Sequence, residues 1–321
     1  MWRSSLASSQ SSAPCARGTA TVAGLVAEIA GLFGRGMIEA PENEARELIA
    51  ALLDVPRFWP ALYAETPVDE TTRRRALDAA AKRACGAPMA YAVGRCAFRH
   101  VTLEIDERAL IPRPETEQLV DLVLEETADA GGVAIDVGTG SGAIALALAT
   151  EASFSRIYAT DVSLDALAVA RRNVQRHEDR LRAPVELRHG SLLAPFAQDG
   201  VPTGPSVENC SLVVSNLPYI ADGEAGSLPA SVRDWEPAVA LFSGADGLRA
   251  TRALVRQAAS VLSPDGLFAL EVDARRAALV AELVASEPRF GAVRVALDLS
   301  GRERFVLARR QERDGRRGEG G

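Results

Sequence analysis

The sequence predicts an α/β protein in which a small helical bundle and a β-hairpin connector precede a mostly parallel sheet. Three patterns predict this fold. Apolar residues recur at helical spacing over residues 22–83. Polar and apolar residues alternate over residues 99–105, which is typical of a half-buried strand or hairpin. After Pro114, short apolar runs alternate with helical segments, as they do when helices join parallel strands.

The amino-terminal segment is predicted to be helical. Leu25, Ile29 and Leu32 form an apolar stripe on one helix, and a second stripe of the same kind follows on the next. We expect residues 21–85 to form a small bundle. The Ser-rich residues 1–20 contain no acidic side chain, so we expect either a disordered tail or a targeting segment there.

Residues 114–310 are predicted to form the sheet domain, after a connector over residues 86–113. Two late apolar runs, residues 293–297 and 304–308, are joined by a Ser-Gly turn and predict an antiparallel hairpin at the sheet edge. Residues 311–321 carry no apolar side chain and are expected to be a disordered tail. The predicted parallel strands are residues 133–137, 156–160, 185–189, 211–215 and 267–272, and the predicted helices include residues 164–174 and 247–262.

The composition excludes several classes of function. The chain has 36 Lys and Arg against 43 Asp and Glu, and its net charge of −7 would repel a nucleic-acid backbone. No apolar run is long enough to cross a bilayer. Four scattered Cys and three His argue against a disulfide framework and a metal site. We therefore expect a cytoplasmic monomer with no metal, no membrane contact and no direct nucleic-acid contact.

A glycine-rich turn follows the first strand of the sheet, where a helix begins. Glycines at alternate positions let a ligand lie against the main chain, and a helix amino terminus offers free N–H groups. The turn therefore predicts a site for a flat or anionic ligand, although a tight structural turn would need the same glycines. The residues of this candidate site are Gly138, Thr139, Gly140, Ser141 and Gly142.

Asp161 ends the next strand, 19 residues beyond Gly142. A carboxylate at this position of a βαβ unit can accept hydrogen bonds from both hydroxyls of a ribose. Asp161 thus predicts nucleoside binding. The alternative is that Asp161 caps the following helix, since Asp161 and Ser163 both precede it.

A third motif, Asn216-Leu-Pro-Tyr219, follows the fourth strand. Pro218 favours extended geometry at Leu217, so the Leu217 carbonyl and the Asn216 side-chain oxygen can both point beyond the strand ends. An incoming NH₂ group could donate to both oxygens, with Tyr219 as an apolar wall. An ordinary turn would explain the same residues.

Together these motifs resemble class I S-adenosylmethionine-dependent methyltransferases that act on a planar exocyclic or amide nitrogen. Further runs resemble the release-factor-specific protein-(glutamine-N5) methyltransferases over residues 22–310. The most specific is Leu110-Ile-Pro-Arg-Pro-Glu-Thr-Glu117, and the others are residues 86–91, 236–241, 244–248 and 298–304.

This resemblance implies a Rossmann-like methyltransferase sheet with an antiparallel edge hairpin and S-adenosylmethionine as the methyl donor. It implies that the substrate is the glutamine amide in the Gly-Gly-Gln motif of peptide chain release factors. The implied catalytic residues are Asn216, Leu217, Pro218 and Tyr219. The implied substrate-binding residues are the same four together with Phe98 and Arg113. The implied cofactor residues are Gly138, Thr139, Gly140, Ser141, Gly142, Asp161, Leu192 and Asn216.

The sequence departs from the family pattern at several positions. Leu217 stands where the family has proline, which should keep the carbonyl acceptor but loosen the backbone. Ser191 replaces an aspartate and Asp273 replaces a glycine. Arg275 and Arg276 lie where a glutamine is usual.

Two alternatives stay open on the sequence. Asn-Leu-Pro-Tyr also suits a nucleic-acid adenine-N6 methyltransferase, because the adenine amino group has the same NH₂ geometry. The departures at Leu217, Ser191 and Asp273 suit a methyltransferase-like binding protein without turnover. The helical bundle, separate from the cofactor motifs, is our candidate for docking the substrate.

Overall fold

A computed structural model of the chain describes residues 20–34, 38–128, 130–196 and 209–312. The predicted tails at residues 1–20 and 311–321 lie mostly outside the described residues. The chain divides into two compact units, Met1–Cys85 and Gly86–Gly321. Within the described part, no helix is long and apolar enough to span a membrane.

The first unit is a helical bundle with one short strand pair. Leu25, Ile29 and Leu48 are almost fully buried, so the apolar stripes form its core. Asp69 caps the last helix, because its carboxylate accepts from the Thr72 N–H. The elements in chain order are β1 (Ala20–Thr21), α1 (Val22–Phe33), α2 (Pro41–Leu53), α3 (Trp59–Leu62), β2 (Pro67–Val68) and α4 (Glu70–Ala84).

The second unit begins with a short helix, α5 (Met89–Val93), and a β-hairpin of β3 (Arg95–Phe98) and β4 (Val101–Glu104). The alternating run from residue 99 to 105 is therefore the turn and second strand of this hairpin. Arg99 occupies the turn with φ of 50°. Its guanidinium binds Glu151 and Asp121, contacts between distant parts of the chain.

A seven-stranded sheet follows, in the order β10-β11-β9-β8-β5-β6-β7. The five strands from β9 to β7 run parallel, and β10 and β11 are antiparallel at one edge. The predicted α/β class and the edge hairpin are confirmed. The strands are β5 (Val133–Val137), β6 (Arg156–Asp161), β7 (Val185–His189), β8 (Cys210–Asn216), β9 (Leu267–Glu271), β10 (Phe290–Leu297) and β11 (Glu303–Arg310).

Helices cover both faces of the sheet, because successive residues of a buried strand point to opposite sides. Ala134 of β5 packs in one apolar cluster with Leu119, and the next residue, Ile135, packs in a second cluster with Leu254. The helices of this unit are α6 (Pro114–Glu126), α7 (Ala143–Glu151), α8 (Leu164–Arg176), α9 (Ala230–Arg233), α10 (Ala238–Leu241), α11 (Arg249–Val261) and α12 (Ala277–Ala285).

Candidate functional site

The carboxyl ends of β5, β6 and β8 meet at one edge of the sheet, because these strands are parallel neighbours. A cavity of about 680 Å³ opens at this edge. Ligands of open α/β sheets bind in this location. The predicted site residues that line the cavity are Gly138, Gly140, Asp161, Leu192, Asn216, Leu217 and Pro218.

The glycine turn is folded against the end of β6. Gly138 and Gly140 have φ of 73° and 55°, which side chains disfavour, and a Cβ on Gly138 would lie 3.2 Å from Leu217 Cδ2. The N–H groups of Gly138 and Thr139 both donate to the Thr160 carbonyl, at 2.8 and 2.9 Å. These two amides are therefore engaged within the chain and hold the turn against the end of β6.

Thr139 and Ser141 support this turn from beneath. Both are buried, with 6% and 2% of their surface exposed. The Thr139 hydroxyl donates to Asp136 at 2.6 Å, and the Ser141 carbonyl accepts from Asn173 at 2.9 Å. Gly142 is the first residue before α7, with φ of 86°. Complete burial raises the pKa of Asp136 to about 7.

Asp161 reaches the cavity from the end of β6. One carboxylate oxygen accepts from the Gly140 N–H at 2.9 Å and the other from the Ser163 N–H at 2.8 Å. Burial raises the pKa of Asp161. Ser163 caps α8 by accepting from the Ala166 N–H, so Asp161 is not the cap of that helix. Its remaining lone pairs can accept from ligand hydroxyls.

A bound nucleoside fits these residues. The glycine turn allows close approach of a ligand, Asp161 offers a carboxylate, and the cavity extends to Asn216. Leu192 and Ser191 line the same cavity beyond β7. Leu192 has φ of 53°, and its carbonyl accepts from the Thr160 hydroxyl at 3.0 Å. Because the Thr160 carbonyl accepts from the glycine turn, Thr160 connects this loop to that turn.

Asn216, the last residue of β8, has one side of its amide engaged. Its Nδ2 donates to the Thr116 hydroxyl at 3.0 Å. Among the described residues, none donates a hydrogen bond to Asn216 Oδ1 or to the Leu217 carbonyl oxygen. The Leu217 side chain is 6% exposed and packs in the apolar cluster with Val137, so this departure from the family is accommodated in the core.

A second cavity of about 270 Å³ shares Leu110, Asn216 and Leu217 with the first. Tyr219 and Arg113 line this second cavity rather than the larger one. Burial, reinforced by the nearby Glu271 carboxylate, raises the pKa of Tyr219 to about 12. Tyr219 is therefore a neutral phenol at physiological pH.

Arg113 and Phe98 have different surroundings. Arg113 donates to both carboxylate oxygens of Glu236, at 2.6 and 2.7 Å, and the Glu236 side chain is 1% exposed. Phe98, the last residue of β3, is also 1% exposed and packs in the core. Phe98 thus offers no surface to a substrate, contrary to the prediction that it contacts the substrate.

The departures at the end of β9 compensate one another. The Asp273 carboxylate accepts from the backbone and side chain of Arg275, and Arg275 and Arg276 both reach Glu224, at 3.1 and 2.8 Å. Arg276 also donates to the Asp246 carbonyl. The negative charge that Asp273 adds is therefore balanced by Arg275 and Arg276. The ion pairs of these two arginines with Glu224 connect the segment Asp222–Ser227 to the end of β9.

Several cavity residues were missed by the sequence motifs. Arg108, Phe242 and Arg249 line the larger cavity. Phe242 lies between residues 236–241 and 244–248, two runs that resemble the family, and Arg249 follows the second run. The sequence motifs indicate no chemical role for either run. Within the described ranges, no cluster of three His, Cys, Asp or Glu residues could hold a metal ion.

Two family models match this chain. A family model described as the PrmC N-terminal domain matches residues 25–94, and one described as the Methyltransferase small domain matches residues 115–224. A solved structure titled as a release-factor-specific protein-(glutamine-N5) methyltransferase from Alicyclobacillus acidocaldarius is 28% identical, with a TM-score of 0.37. It covers 65% of this chain and 99% of that one.

Sequence relatives carry the assignment. The release factor glutamine methyltransferase of Deinococcus radiodurans is 36% identical over 86% of this chain and 94% of its own length. That of Nitratidesulfovibrio vulgaris is 32% identical over 92% of this chain and 98% of its own length. Both matches span the two units. The chain therefore belongs to the release factor glutamine methyltransferase family.

Proposed function

We propose that this protein transfers the methyl group of S-adenosylmethionine to the side-chain amide nitrogen of the glutamine in the Gly-Gly-Gln motif of peptide chain release factors. The observation that carries the proposal is the pair of oxygens, Asn216 Oδ1 and the Leu217 carbonyl, that have no donor within the described part of the chain. Both residues border the two cavities. An NH₂ group with two hydrogens is the donor that such a pair accommodates.

The larger cavity is the proposed cofactor site. Gly138 and Gly140 would let the cofactor approach the main chain, Asp161 would accept from its ribose hydroxyls, and Leu192 would contact its base. When bound, S-adenosylmethionine supplies a methyl group on a positively charged sulfur, which makes that carbon electrophilic. Asp161 would stabilise binding through charge-assisted hydrogen bonds, each contributing roughly 1.5–3 kcal/mol.

Orientation would supply most of the rate. An amide nitrogen is a poor nucleophile, because its lone pair is delocalised into the carbonyl group. If Asn216 and Leu217 hold the two N–H groups, the nitrogen is aimed and restrained, and such positioning can contribute about 7–11 kcal/mol. The same two acceptors favour the positive charge that develops on nitrogen during transfer.

The smaller cavity is the proposed path for the substrate loop. Tyr219 would give it an apolar wall, and its neutral phenol would be a weaker acceptor for the amide protons than a phenolate. Arg113 lines this cavity while it is paired with Glu236, so it would shape the wall with a fixed guanidinium. This arrangement supports entry of the glutamine from the side opposite the cofactor.

The first unit is the proposed docking element for the release factor. Residues 25–94 match the PrmC N-terminal domain, which supports a role particular to this family. In this unit Phe58, Leu62 and Tyr63 are 74%, 77% and 53% exposed. Exposed apolar side chains within one short segment, here α3 and the residue on each side of it, are typical of a surface that binds another protein.

We propose further that the protein works as a cytoplasmic monomer without direct nucleic-acid contact. Its net charge of −7 supports the last point, because it would repel a phosphate backbone. Labelled S-adenosylmethionine incubated separately with release factor and with rRNA separates the candidate functions. Label on the release-factor glutamine supports the proposal. Label on rRNA alone would favour the adenine-N6 alternative, and label on neither would favour a binding protein.

The role of Asn216 has a direct test. Asn216→Ala should lower single-turnover methyl transfer at least ~100-fold, because one preorganised acceptor for the amide is lost. The melting temperature should fall by only a few degrees, since one hydrogen bond of about 1 kcal/mol is lost. A variant that melts lower but transfers methyl groups at the normal rate per folded molecule would show that Asn216 only satisfies a turn.

A further inference from the structure

A chain of two hydrogen bonds runs behind the proposed substrate acceptor. Asn216 Nδ2 donates to Thr116 Oγ1 at 3.0 Å, and Thr116 Oγ1 donates to Glu271 Oε2 at 2.7 Å. The three residues come from the end of β8, the first turn of α6 and the end of β9. Asn216 and Glu271 face each other in the parallel register of these two strands. Thr116 and Glu271 are each only 4% exposed, so water does not compete for these bonds.

The chemistry of the chain gives it a direction. The Glu271 carboxylate can only accept, and it takes the single proton of the Thr116 hydroxyl. Thr116 Oγ1 can then only accept, so it selects the NH₂ side of the Asn216 amide. The Asn216 oxygen is thereby turned away from Thr116. If the Asn216 amide were reversed, Oδ1 would face Thr116 Oγ1, which also accepts. Nδ2 would then face the substrate NH₂ group, which also donates.

We propose that Thr116 and Glu271 are positioning residues that fix the orientation of the Asn216 amide, so that Oδ1 rather than Nδ2 meets the substrate NH₂ group. This inference rests on the proposed function. Neither residue lines either cavity, so both act through Asn216 rather than by touching cofactor or substrate. It also gives a role to the threonine of the Pro-Glu-Thr-Glu run, whose sequence carried no chemical assignment.

Protonation of Glu271 should disturb this order. Burial raises the pKa of Glu271 to about 7, while the bond from Thr116 opposes that rise. A protonated carboxyl can donate to Thr116, which frees the Thr116 proton to bind Asn216 Oδ1. The charged or titratable groups that act on Glu271 are Arg113 and Glu115 before and in α6, Arg304 on β11 and Tyr219 after β8.

The test compares Thr116 in the first turn of α6 with Thr127, which directly follows the same helix. Thr116→Val keeps the shape and removes the hydroxyl, and it should lower single-turnover methyl transfer about 10- to 100-fold with cofactor and release factor saturating. Affinity for S-adenosylmethionine by calorimetry should stay within about twofold of wild type, because the cofactor site is untouched. Thr116→Ser, which restores the hydroxyl, should recover most of the rate.

Thr127→Val is the matched control. Thr127 is equally buried at the other end of α6, and its hydroxyl donates only to the Val123 carbonyl within its own helix. It should lose stability to a similar extent and keep the wild-type rate per folded molecule. A Thr116→Val protein that matches Thr127→Val in rate would overturn the inference, as would a Thr116→Ser protein as slow as Thr116→Val.

A pH profile provides a second readout that does not need Thr116→Val to fold. The wild-type rate with both substrates saturating should fall as the pH drops through about 7, because Glu271 becomes protonated. Glu271→Gln cannot ionise and should lack that inflection. An unchanged profile in Glu271→Gln would contradict the inference. Wild-type protein that methylates no release factor would instead overturn the proposed function itself, so the two failures are distinct.

Discussion

At the scale of single residues, Asp161 carries the most direct prediction about the cofactor. Asp161→Ala should weaken S-adenosylmethionine binding by about 30- to 1,000-fold, because roughly 2–4 kcal/mol of charge-assisted bonding to the ribose is lost. Calorimetry on the variant and wild type measures this. Affinity should also decline as the pH falls, since burial raises the pKa of Asp161 and its protonated form is a weaker acceptor.

The control for this prediction is Asp161→Asn, which keeps the size and one acceptor oxygen. Asp161 also accepts from the N–H groups of Gly140 and Ser163, so melting curves must accompany both variants. Asparagine should lose less affinity than alanine, with both proteins folded. If alanine binds the cofactor as tightly as wild type does, the ribose contact belongs to another residue.

Residue types revealed the parts of the site that follow strands directly. Gly138, Asp161 and Asn216 each come just after an apolar run. Gly138 lacks a side chain and so allows close approach of a ligand, whereas Asp161 and Asn216 each have a side-chain oxygen that can accept a hydrogen bond. The link from Thr116 to Glu271 joins residues 155 positions apart. It depends on how α6 lies against the sheet, and no local pattern carries that information.

At the scale of elements, the exposed apolar side chains of α3 and its flanking residues should determine affinity for the release factor. Phe58→Ser combined with Leu62→Ser should raise the KM for release factor about 3- to 30-fold, because two apolar side chains would no longer be buried on docking. Cofactor affinity and melting temperature should hardly change, since both side chains are mostly exposed. Steady-state methylation over a range of release-factor concentrations measures the effect.

Leu279→Ser is the matched control for that surface. Leu279 lies on α12 of the second unit and is 51% exposed. It should leave the KM for release factor at the wild-type value. Equal KM values in the α3 double variant and in Leu279→Ser would remove the docking role from α3.

Most element types followed from periodicity, and the errors have local causes. The strands predicted at residues 133–137 and 185–189 have those bounds in the structure. The strand predicted at residues 267–272 ends one residue earlier, and the other four extend by one to three residues at one or both ends. The run from 99 to 105 hid a turn, because neither Arg99 nor His100, which form the turn, is a typical turn residue. Arg99 tolerates φ of 50° with the support of ion pairs to Glu151 and Asp121, which only the folded chain supplies.

At the scale of the whole molecule, buried carboxyl groups should make stability depend on pH. Burial raises the pKa of both Asp136 and Glu271 to about 7. The folded state then binds more protons than the unfolded state between about pH 4 and pH 7, so these groups favour folding below that range and oppose it above. Asp106, Asp246 and Asp298 have pKa values lowered to about 2 by hydrogen bonds, and their stabilisation is lost only in stronger acid.

The free energy of unfolding should therefore fall between pH 5 and pH 7.5, on the order of 3 kcal/mol for Asp136 alone. Urea unfolding of wild type at both pH values measures the fall. Asp136→Asn should make this fall smaller, whatever the absolute stability of the variant, because residue 136 can then no longer ionise. Asp179→Asn, at an exposed position, should leave the fall unchanged. Identical falls in wild type and Asp136→Asn would mean that Asp136 ionises normally. The raised pKa values of Asp136 and Glu271 should make the protein more stable in mild acid than at neutral pH. Protonation of Glu271 is expected to slow methyl transfer in the same pH range, so the protein should be least active where it is most stable.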